Sequence, residues 1–444
     1  MITSPFTSRR MPRRVLRPRL AWKALLAGLK CLACFFVFFA STGEARAEEK
    51  SGKAAKDWEA SKDDPRRWEF LPVPNIGGNS DVGLELGVAF GVVRFYDDAK
   101  PYKWLLGGVF ITSFKDDDGH FRTVQQFHAL RLDVPGLFGG RVRINTIVNF
   151  GRNVIAKWNG LGNASTLEGL PPGPDRVRQG QFTSEQVRLR SVVRVKTGTP
   201  FDAAFSTNLR YEFPSIYEGS KIQYDAAHSG IPGTEPAFLT TLATGFIIDT
   251  RDNEFAPHRG VYYQAGVGGT VGSAERVAYG ETFASLSSFL PLGPKLTFFN
   301  RVVASYQFGR VPFYDLAQGN AFLPQAMVGG DRGVRGVPGA RYAGHVKMMA
   351  NYELRSTLIP RFRVLRWKLQ VGNTAFLDLG RVWNDINSSA SDGKTPGIHY
   401  GVGGGFFFQW DRTSVFRVEL AYSPSDHPRN GFPLSYYIAN GLTF

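Results

Sequence analysis

Apolar and polar residues alternate with a period of two along most of the chain after residue 66. Residues 183–196 show the pattern most clearly, with valine and leucine on one face and cations on the other: Val187, Leu189, Val193 and Val195 against Arg188, Arg190, Arg194 and Lys196. Successive side chains of a strand point to opposite faces. Arginine on a lipid-facing wall costs about 2–4 kcal/mol near the membrane midplane, so the basic face is predicted to line an interior.

About sixteen segments of this kind follow one another between residues 68 and 444, from residues 68–77 to residues 435–444. Turn residues such as Asp116, Asp117, Asp118 and Gly119 separate them. Alternating segments of roughly ten residues between turns are typical of barrels that cross a membrane. The predicted fold is therefore all-β, an antiparallel transmembrane β-barrel of about sixteen strands.

The first residues of the chain differ from the rest. A basic lead precedes an apolar run over residues 31–40 and the small-x-small sequence Ala45-Arg46-Ala47. This order predicts a secretory signal peptide over residues 1–47, because a single spanning anchor needs about twenty apolar residues. Residues 48–65 are rich in charge and alanine and are predicted to be a periplasmic linker, which leaves residues 66–444 for the barrel.

Cysteine content and net charge indicate neither a thiol site nor a nucleic-acid partner. The two cysteines, Cys31 and Cys34, both lie in the predicted signal peptide. Residues 1–47 carry nine Lys or Arg and one Glu, which leaves +7 of the formal net charge of +15 for the remainder. The high isoelectric point is therefore poor evidence for nucleic acid, and we predict no nucleic-acid partner.

One connection, over residues 309–342, is much longer than the turns and is predicted to be functional. Four of the eight residues 329–336 are glycine, and glycine tolerates positive φ and close backbone approach. Arg335 in this stretch needs a carboxylate or carbonyl partner where water is scarce. Asp378 is the candidate, because alternation puts it on one face of its strand with Phe376 and Gly380.

These two segments resemble the Val-Arg-Gly-(aromatic) loop and the Phe-x-Asp-x-Gly strand of the BamA/TamA superfamily of outer-membrane assembly barrels, also called the bacterial surface antigen family. In that family the loop folds into the barrel and its arginine meets the aspartate of the strand. Val337 stands here where the family usually has an aromatic residue. The residues expected to hold the loop in the lumen are Gly330, Val334, Arg335, Gly336, Glu353, Phe376, Asp378 and Gly380.

Three further sets of residues are singled out. The first resembles a periplasmic turn that recurs in the family: Asp249, Arg251, Asp252, Asn253, Pro257 and Gly260. The second is a basic face of the lumen, which either hydrates the interior or favours anionic solutes or lipid headgroups: Arg141, Arg143, Arg188, Arg190, Arg194 and Lys196. The third resembles the C-terminal signal of outer-membrane barrels: Gly441, Leu442 and Phe444.

Catalytic motifs are missing from the sequence. It contains no Gly-x-Ser-x-Gly elbow, and its seven histidines are scattered without zinc-ligand spacing. Carboxylates and arginines such as Glu353, Arg417 and Glu419 are read as the ion-pair lining of a wet interior and not as acid/base pairs. We expect no enzyme activity, no cofactor and no metal.

The resemblance implies a bacterial outer-membrane barrel that inserts or translocates other proteins, through a weak seam between the first and last strands. It also implies outer-membrane lipids and client outer-membrane proteins as partners. Family members usually carry periplasmic POTRA domains, for which residues 48–65 leave no room, so we expect a POTRA-less barrel. Whether a separate periplasmic partner takes the place of these domains is left open by the sequence. The alternatives are a passive pore or transporter of small solutes or lipid, and a purely structural surface antigen.

Overall fold

The computed structural model describes residues 66–96, 102–117, 119–171, 173–254, 256–364, 367–387, 389–410, 414–425 and 434–440. The signal peptide and linker expected over residues 1–65 lie outside these ranges. The C-terminal signal at Gly441, Leu442 and Phe444 also lies outside them. These expectations therefore stay predictions.

Sixteen strands of the described residues form a closed antiparallel barrel in which each strand pairs with its neighbours along the chain, as predicted. The wall strands are β1 (Trp68–Asn79), β2 (Gly83–Arg94), β3 (Trp104–Asp117), β4 (His120–Gly136), β5 (Val142–Lys157), β6 (Gln181–Lys196), β7 (Asp202–Ile216), β8 (Ala237–Asp249), β9 (Gly260–Gly272), β10 (Ala278–Gly293), β11 (Leu296–Arg310), β14 (Val346–Val364), β15 (Trp367–Trp383), β16 (His399–Trp410), β17 (Ser414–Tyr422) and β18 (Leu434–Asn440). Two further strands, β12 (Gln318–Gly319) and β13 (Gln325–Ala326), pair with each other between β11 and β14.

Alternation sorts each strand into an inward and an outward face. On β14 the polar side chains of Lys347, Asn351 and Glu353 are buried in the lumen, whereas Met348 and Leu354 are exposed on the outer surface. An outer surface of exposed apolar side chains suits lipid, and the buried polar side chains satisfy one another inside.

Connections are long at one end of the barrel and short at the other. The long ones include residues 158–180, residues 217–236 and residues 311–345, and the second of these contains helix α1 (Lys221–Ser229). Ser220 caps α1 at its N-terminus, and Gly230 ends it in the left-handed conformation at φ 61°. Short turns at one end and long loops at the other are typical of outer-membrane barrels, whose short turns are periplasmic. No helix in the described part of the chain is long and apolar enough to cross a membrane.

Strands β14 and β15 are longer than the alternation indicated. The sequence predicted residues 345–355 and 376–383, but β14 continues to Val364 and β15 begins at Trp367. The pairing register shifts between Thr357 and Ile359 and again between Ile359 and Phe362. At such bulges two neighbouring residues point the same way, and Leu358 and Ile359 are indeed both exposed. The apolar–polar alternation is interrupted here, so the sequence pattern did not predict that the strand continues.

The barrel closes at a seam between β1 and β18. Only two residue pairs of the described residues join these strands, Gly78 with Ile438 and Asn79 with Tyr437. By contrast, twelve pairs join β1 to β2 and seven join β17 to β18. The amide of Ser80 donates to the Tyr436 carbonyl at 3.2 Å, the Tyr436 amide donates to the Ser80 hydroxyl at 2.9 Å, and the Asn440 side chain donates to that of Asn75. Most of the β1 edge therefore has no strand partner among the described residues.

The outward face can be tested as a lipid surface. Leu242 lies in the middle of β8 and is 60% exposed. Leu242→Arg should lower the free energy of unfolding in lipid vesicles by about 2–4 kcal/mol, because it puts a cation in hydrocarbon. The measurement is a urea titration followed by the heat-modifiable shift of the folded band on gels.

Leu323→Arg provides the matched control, since Leu323 is 42% exposed but belongs to the connection between β11 and β14. It should change the folding free energy little. Equal losses for the two substitutions would contradict the assignment of the β8 face to lipid.

Candidate functional site

The connection between β11 and β14, residues 311–345, folds back into the barrel and is called the lumenal loop here. Its apolar side chains pack against the inner wall in one cluster. From the loop the cluster takes Met327, Val328, Val334, Val337 and Tyr342, and from the wall Val303, Met349 and Val382. The loop is therefore held partly by apolar burial, and Val337 contributes to this cluster in place of the family's usual aromatic residue.

Glycines set the backbone path of the loop. Gly329, Gly330 and Gly336 have φ of 118°, 87° and 93°, in the left-handed region that favours glycine. A Cβ on Gly329 would lie 2.1 Å from the Pro338 carbonyl oxygen. The chain thus returns on itself closely enough for the Gly330 amide to donate to the Val337 carbonyl at 2.9 Å.

Arg335 is completely buried and binds carboxylates from three strands. Its Nε and Nη2 donate to the two oxygens of Asp378 on β15 at 2.7 and 3.0 Å, a bidentate pair. Its Nη1 donates to Glu353 on β14 at 2.9 Å and to both oxygens of Glu419 on β17 at 3.3 Å. The structure thus brings together the loop arginine and the strand aspartate that the sequence singled out.

Two more arginines complete this group, which we call the Arg335 network: Arg335, Arg355, Arg417, Glu353, Asp378 and Glu419. Arg355 donates to Glu353 at 2.6 Å, and Arg417 donates to Glu419. Three cations thus face three carboxylates. Burial by itself lowers the pKa of Arg335, but Asp378, Glu353 and Glu419 raise that pKa well above its ordinary value, so the guanidinium stays charged.

The wall beside Arg335 is shaped by glycine and one aromatic ring. The guanidinium carbon lies 3.4 Å from the centre of the Phe376 ring, a cation–π contact. Gly401 on β16 pairs with Asp378, and a Cβ there would lie 1.7 Å from the Arg335 carbonyl oxygen. Gly380 would in the same way meet Val334 at 2.7 Å. These glycines let the loop backbone lie directly against the wall.

The lumenal loop also contacts both sides of the seam. The Gly336 amide donates to the Tyr437 hydroxyl on β18 at 2.8 Å. The Gly339 amide donates to Asp81, in the turn after β1, at 2.8 Å. Lys157 binds the other oxygen of Asp81 at 2.7 Å. One short piece of loop therefore bridges the two strands at which the barrel closes.

The predicted periplasmic turn lies between β8 and β9, at the short-turn end. Asp249 accepts two bonds from Arg251 at 2.9 Å each. Asp252 accepts the amides of residues 258 and 259, and Asn253 accepts that of residue 256, so both side chains cap the turn. A Cβ on Gly260, at φ 112°, would lie 2.4 Å from the Thr250 carbonyl oxygen. Pro257 lies within this turn.

The six basic residues predicted to line the lumen have three different kinds of surroundings and do not form one basic face. Arg141 and Lys196 are exposed where β5 begins and β6 ends. Arg143 pairs with Asp133 and Glu254, and Arg194 pairs with Asp202 and Asp249. Arg188 and Arg190 lie near the middle of β6 and form no ion pair among the described residues.

Sequence reasoning missed several contacts of the loop. Glu419 was assigned to the lumen lining but not to Arg335, and Tyr437, Asp81 and Asn351 were not assigned to the loop. Asn351 donates to the Gly333 carbonyl at 2.8 Å and to Asp378 at 2.9 Å. The inward parity of Asn351 on β14 was the available signal. The contacts of Tyr437 and Asp81 depend on where the barrel closes, which alternation does not encode.

Comparison with known proteins adds a family. Residues 175–432 match the Omp85 superfamily domain, and no curated protein matches the chain. Among solved structures, the chain is similar to BamA from Haemophilus ducreyi lacking POTRA domains 1–3, with a TM-score of 0.52 and 14% identity over 85% of this chain and 70% of that one. It is also similar to CdiB from Escherichia coli, with a TM-score of 0.51 and 13% identity over 84% of this chain and 63% of that one.

A closed sixteen-stranded barrel with an apolar outer face and an inward loop defines a β-barrel protein of the bacterial outer membrane. With the matched domain covering more than half of its length, the chain belongs to the Omp85 superfamily. The family and fold expected from the sequence are thereby confirmed.

The role of Arg335 can be tested by substitution. Arg335→Ala should lower the free energy of unfolding by about 3–5 kcal/mol, because it leaves three buried carboxylates with too little positive charge. The barrel should still form, since the wall strands keep their own hydrogen bonds. Urea titration in lipid vesicles gives the stability, and protease cleavage within residues 311–345 reports the position of the loop.

Arg332→Ala is the control, because Arg332 lies three residues earlier in the same loop with an exposed side chain. It should leave stability and protease resistance unchanged. An Arg335→Ala protein with wild-type stability and an uncleaved loop would show that the network does not hold the loop.

The glycine surface of β16 generates a second test. Gly401→Ala should displace the loop and cost about 1–3 kcal/mol, because the new methyl group overlaps the Arg335 carbonyl. Gly91→Ala on β2 is a matched strand substitution with nothing within 4 Å of the added Cβ. Protease cleavage of the loop should rise only for Gly401→Ala, and identical behaviour of the two variants would refute the close contact.

Proposed function

We propose that this barrel inserts or translocates other proteins at the outer membrane by opening between β1 and β18. Membership of the Omp85 superfamily supports the general role. The seam, with two residue pairs among the described residues, is the observation that carries the mechanism. Client outer-membrane proteins and lipids are the proposed partners.

The energetics of the seam favour opening at this position. A backbone hydrogen bond contributes about 0.5–1.5 kcal/mol net, and among the described residues two pairs join β1 to β18 where twelve join β1 to β2, which supports separation at this contact. Pro72 and Pro74 of β1 have no amide hydrogen to offer to a neighbouring strand. Opening here exposes a strand edge that a client strand can extend by pairing.

The lumenal loop gives the seam a second point of attachment. Gly336 binds Tyr437 on one side and Gly339 binds Asp81 on the other, while the Arg335 network fixes the same stretch to β14, β15 and β17. Opening of the seam therefore breaks at least one of the two loop contacts. We propose that the docked loop keeps the resting barrel closed and that it moves when a client enters.

The expected absence of POTRA domains stays a prediction, and a separate periplasmic partner that delivers clients stays an open alternative. The alternative function, a passive pore or transporter of small solutes or lipid, does not need the seam to open. The two functions thus differ in what happens when the seam is closed by a covalent bond.

The test measures how fast an unrelated, urea-unfolded outer-membrane protein folds into liposomes with and without the purified barrel. The barrel should accelerate folding. Ser80→Cys with Tyr436→Cys, in a background where Cys31 and Cys34 are replaced by serine, should abolish the acceleration when oxidised. Reduction should restore it.

A disulfide between Val88→Cys on β2 and Phe110→Cys on β3 is the matched control, because these residues pair away from the seam. It should leave the acceleration intact. If the wild-type barrel does not accelerate folding and conducts ions ohmically in a planar bilayer, the passive pore replaces the proposal.

A further inference from the structure

A group of arginines on the inner wall, which we call the β6 arginine cluster, has too few acidic partners. It consists of Arg188 and Arg190 on β6, Arg131 on β4 and Arg332 on the lumenal loop. Arg190 and Arg131 both pair with Ile147 of β5, on its two sides, so they lie in one row across three strands. Arg332 lies within electrostatic range of Arg190.

Most side-chain N–H donors of this cluster have no hydrogen-bond partner among the described residues. Within the described ranges, the side chains of Arg190 and Arg332 form no hydrogen bond and no ion pair, whereas the Arg332 carbonyl accepts a bond from Arg301. Arg188 is 9% exposed and donates to the Gln186 amide oxygen at 2.8 Å, but its buried Nε has no partner. Arg131 faces the side-chain amide of Asn145, which carries no charge.

Nearby carboxylates are occupied by other cations. Asp133, 3.9 Å from Arg131, receives two closer bonds from Arg143 at 2.7 and 3.0 Å. Asp331 pairs with Arg417 at 3.6 Å. Asp315 and Glu212, which lie within electrostatic range of Arg188, pair with Arg210 at 2.6 and 3.8 Å. The cluster therefore keeps an excess of positive charge, unlike Arg143, Arg194 and Arg335, each of which has at least two acidic partners.

Space for a small ligand lies beside the cluster. A cavity of about 540 Å³ in the lumen is lined by Arg332 of the cluster and by Ser184 and Gln186 of β6, but not by Arg131, Arg188 or Arg190. Its other charged lining residues are Asp81, Glu85, Arg152, Lys157 and Asp331. The cavity therefore meets the cluster at Arg332, and beside Gln186, which binds Arg188.

Like charges held together in a partly dry site repel one another, and an anion relieves this repulsion. Guanidinium groups match phosphate and carboxylate groups through paired N–H donors. Arg188 and Arg190 project from the inner face of β6, whereas Val187 and Leu189 occupy the outer face. A ligand dissolved in water can reach the cluster, but a lipid in the surrounding bilayer cannot do so while the seam is closed.

We propose that the β6 arginine cluster is a binding site for a water-soluble ligand that carries a phosphate or carboxylate group. The site goes beyond the proposed function, because opening of the seam and pairing with a client strand do not require it. Occupancy would neutralise the cluster and bring Arg332 of the loop closer to the β6 wall.

Inorganic phosphate is the probe. The purified full chain in phosphatidylcholine nanodiscs should bind radiolabelled phosphate saturably in equilibrium dialysis. Arg190→Gln with Arg332→Gln should weaken binding by about tenfold or more, the effect of losing one or two charge-assisted hydrogen bonds. Arg276→Gln, which removes one exposed charge from the connection between β9 and β10, should leave binding unchanged.

Folding of each variant is checked by heat-modifiability, and Arg332→Gln alone, which alters only an exposed loop side chain, gives a second reading. Wild-type protein that does not bind phosphate saturably, or binding that both Gln variants retain, overturns the proposal. Nanodiscs containing phosphatidylglycerol distinguish the source of the anion. Loss of phosphate binding only in those nanodiscs assigns the site to a lipid headgroup and overturns its assignment to a soluble ligand.

Discussion

A buried guanidinium controls the inner architecture of this barrel. Removing an ion from water costs several kcal/mol even after relaxation, and Arg335 meets that cost with carboxylates from β14, β15 and β17. Each of those strands must present an acidic residue inward, and the three residues must lie at the same level along the barrel axis. β16, which runs between β15 and β17, must be free of side chains there so that the loop backbone can approach. Gly401 satisfies this second condition.

Much of this arrangement follows from local pattern. Alternation predicted sixteen strands and their inward faces, because a lipid surface tolerates few charged side chains, and the Arg335–Asp378 pair was accessible from two short motifs. The partners Glu419 and Tyr437 were not accessible, since they lie 84 residues from Arg335 and 101 residues from Gly336. Their positions depend on strand tilt and register. The extension of β14 was hidden by its bulges for the same reason: a local pattern fails where the backbone departs from regular geometry.

The lumen is divided into two regions of different character. On the side of β14 to β17, cations and carboxylates are matched and the loop packs closely. On the side of β4 to β6, Arg188 and Arg190 have no acidic partner among the described residues, and a cavity remains. Tight packing on the β14 to β17 side therefore holds the loop, while the arginines on the β4 to β6 side keep N–H donors free to bind a ligand. The seam lies between the two regions, so changes on either side bear on the same loop.

The span of the Arg335 network along the chain also constrains the order of folding. Its partners lie 18, 43 and 84 residues after the arginine. Contacts of such separation form only after the entropy of closing long segments has been met. The loop can therefore make all three contacts only when β14 to β17 are in register with one another. A shift in that register removes a carboxylate from the arginine, and the same loop then loses the anchor that supports its contacts with Tyr437 and Asp81 at the seam.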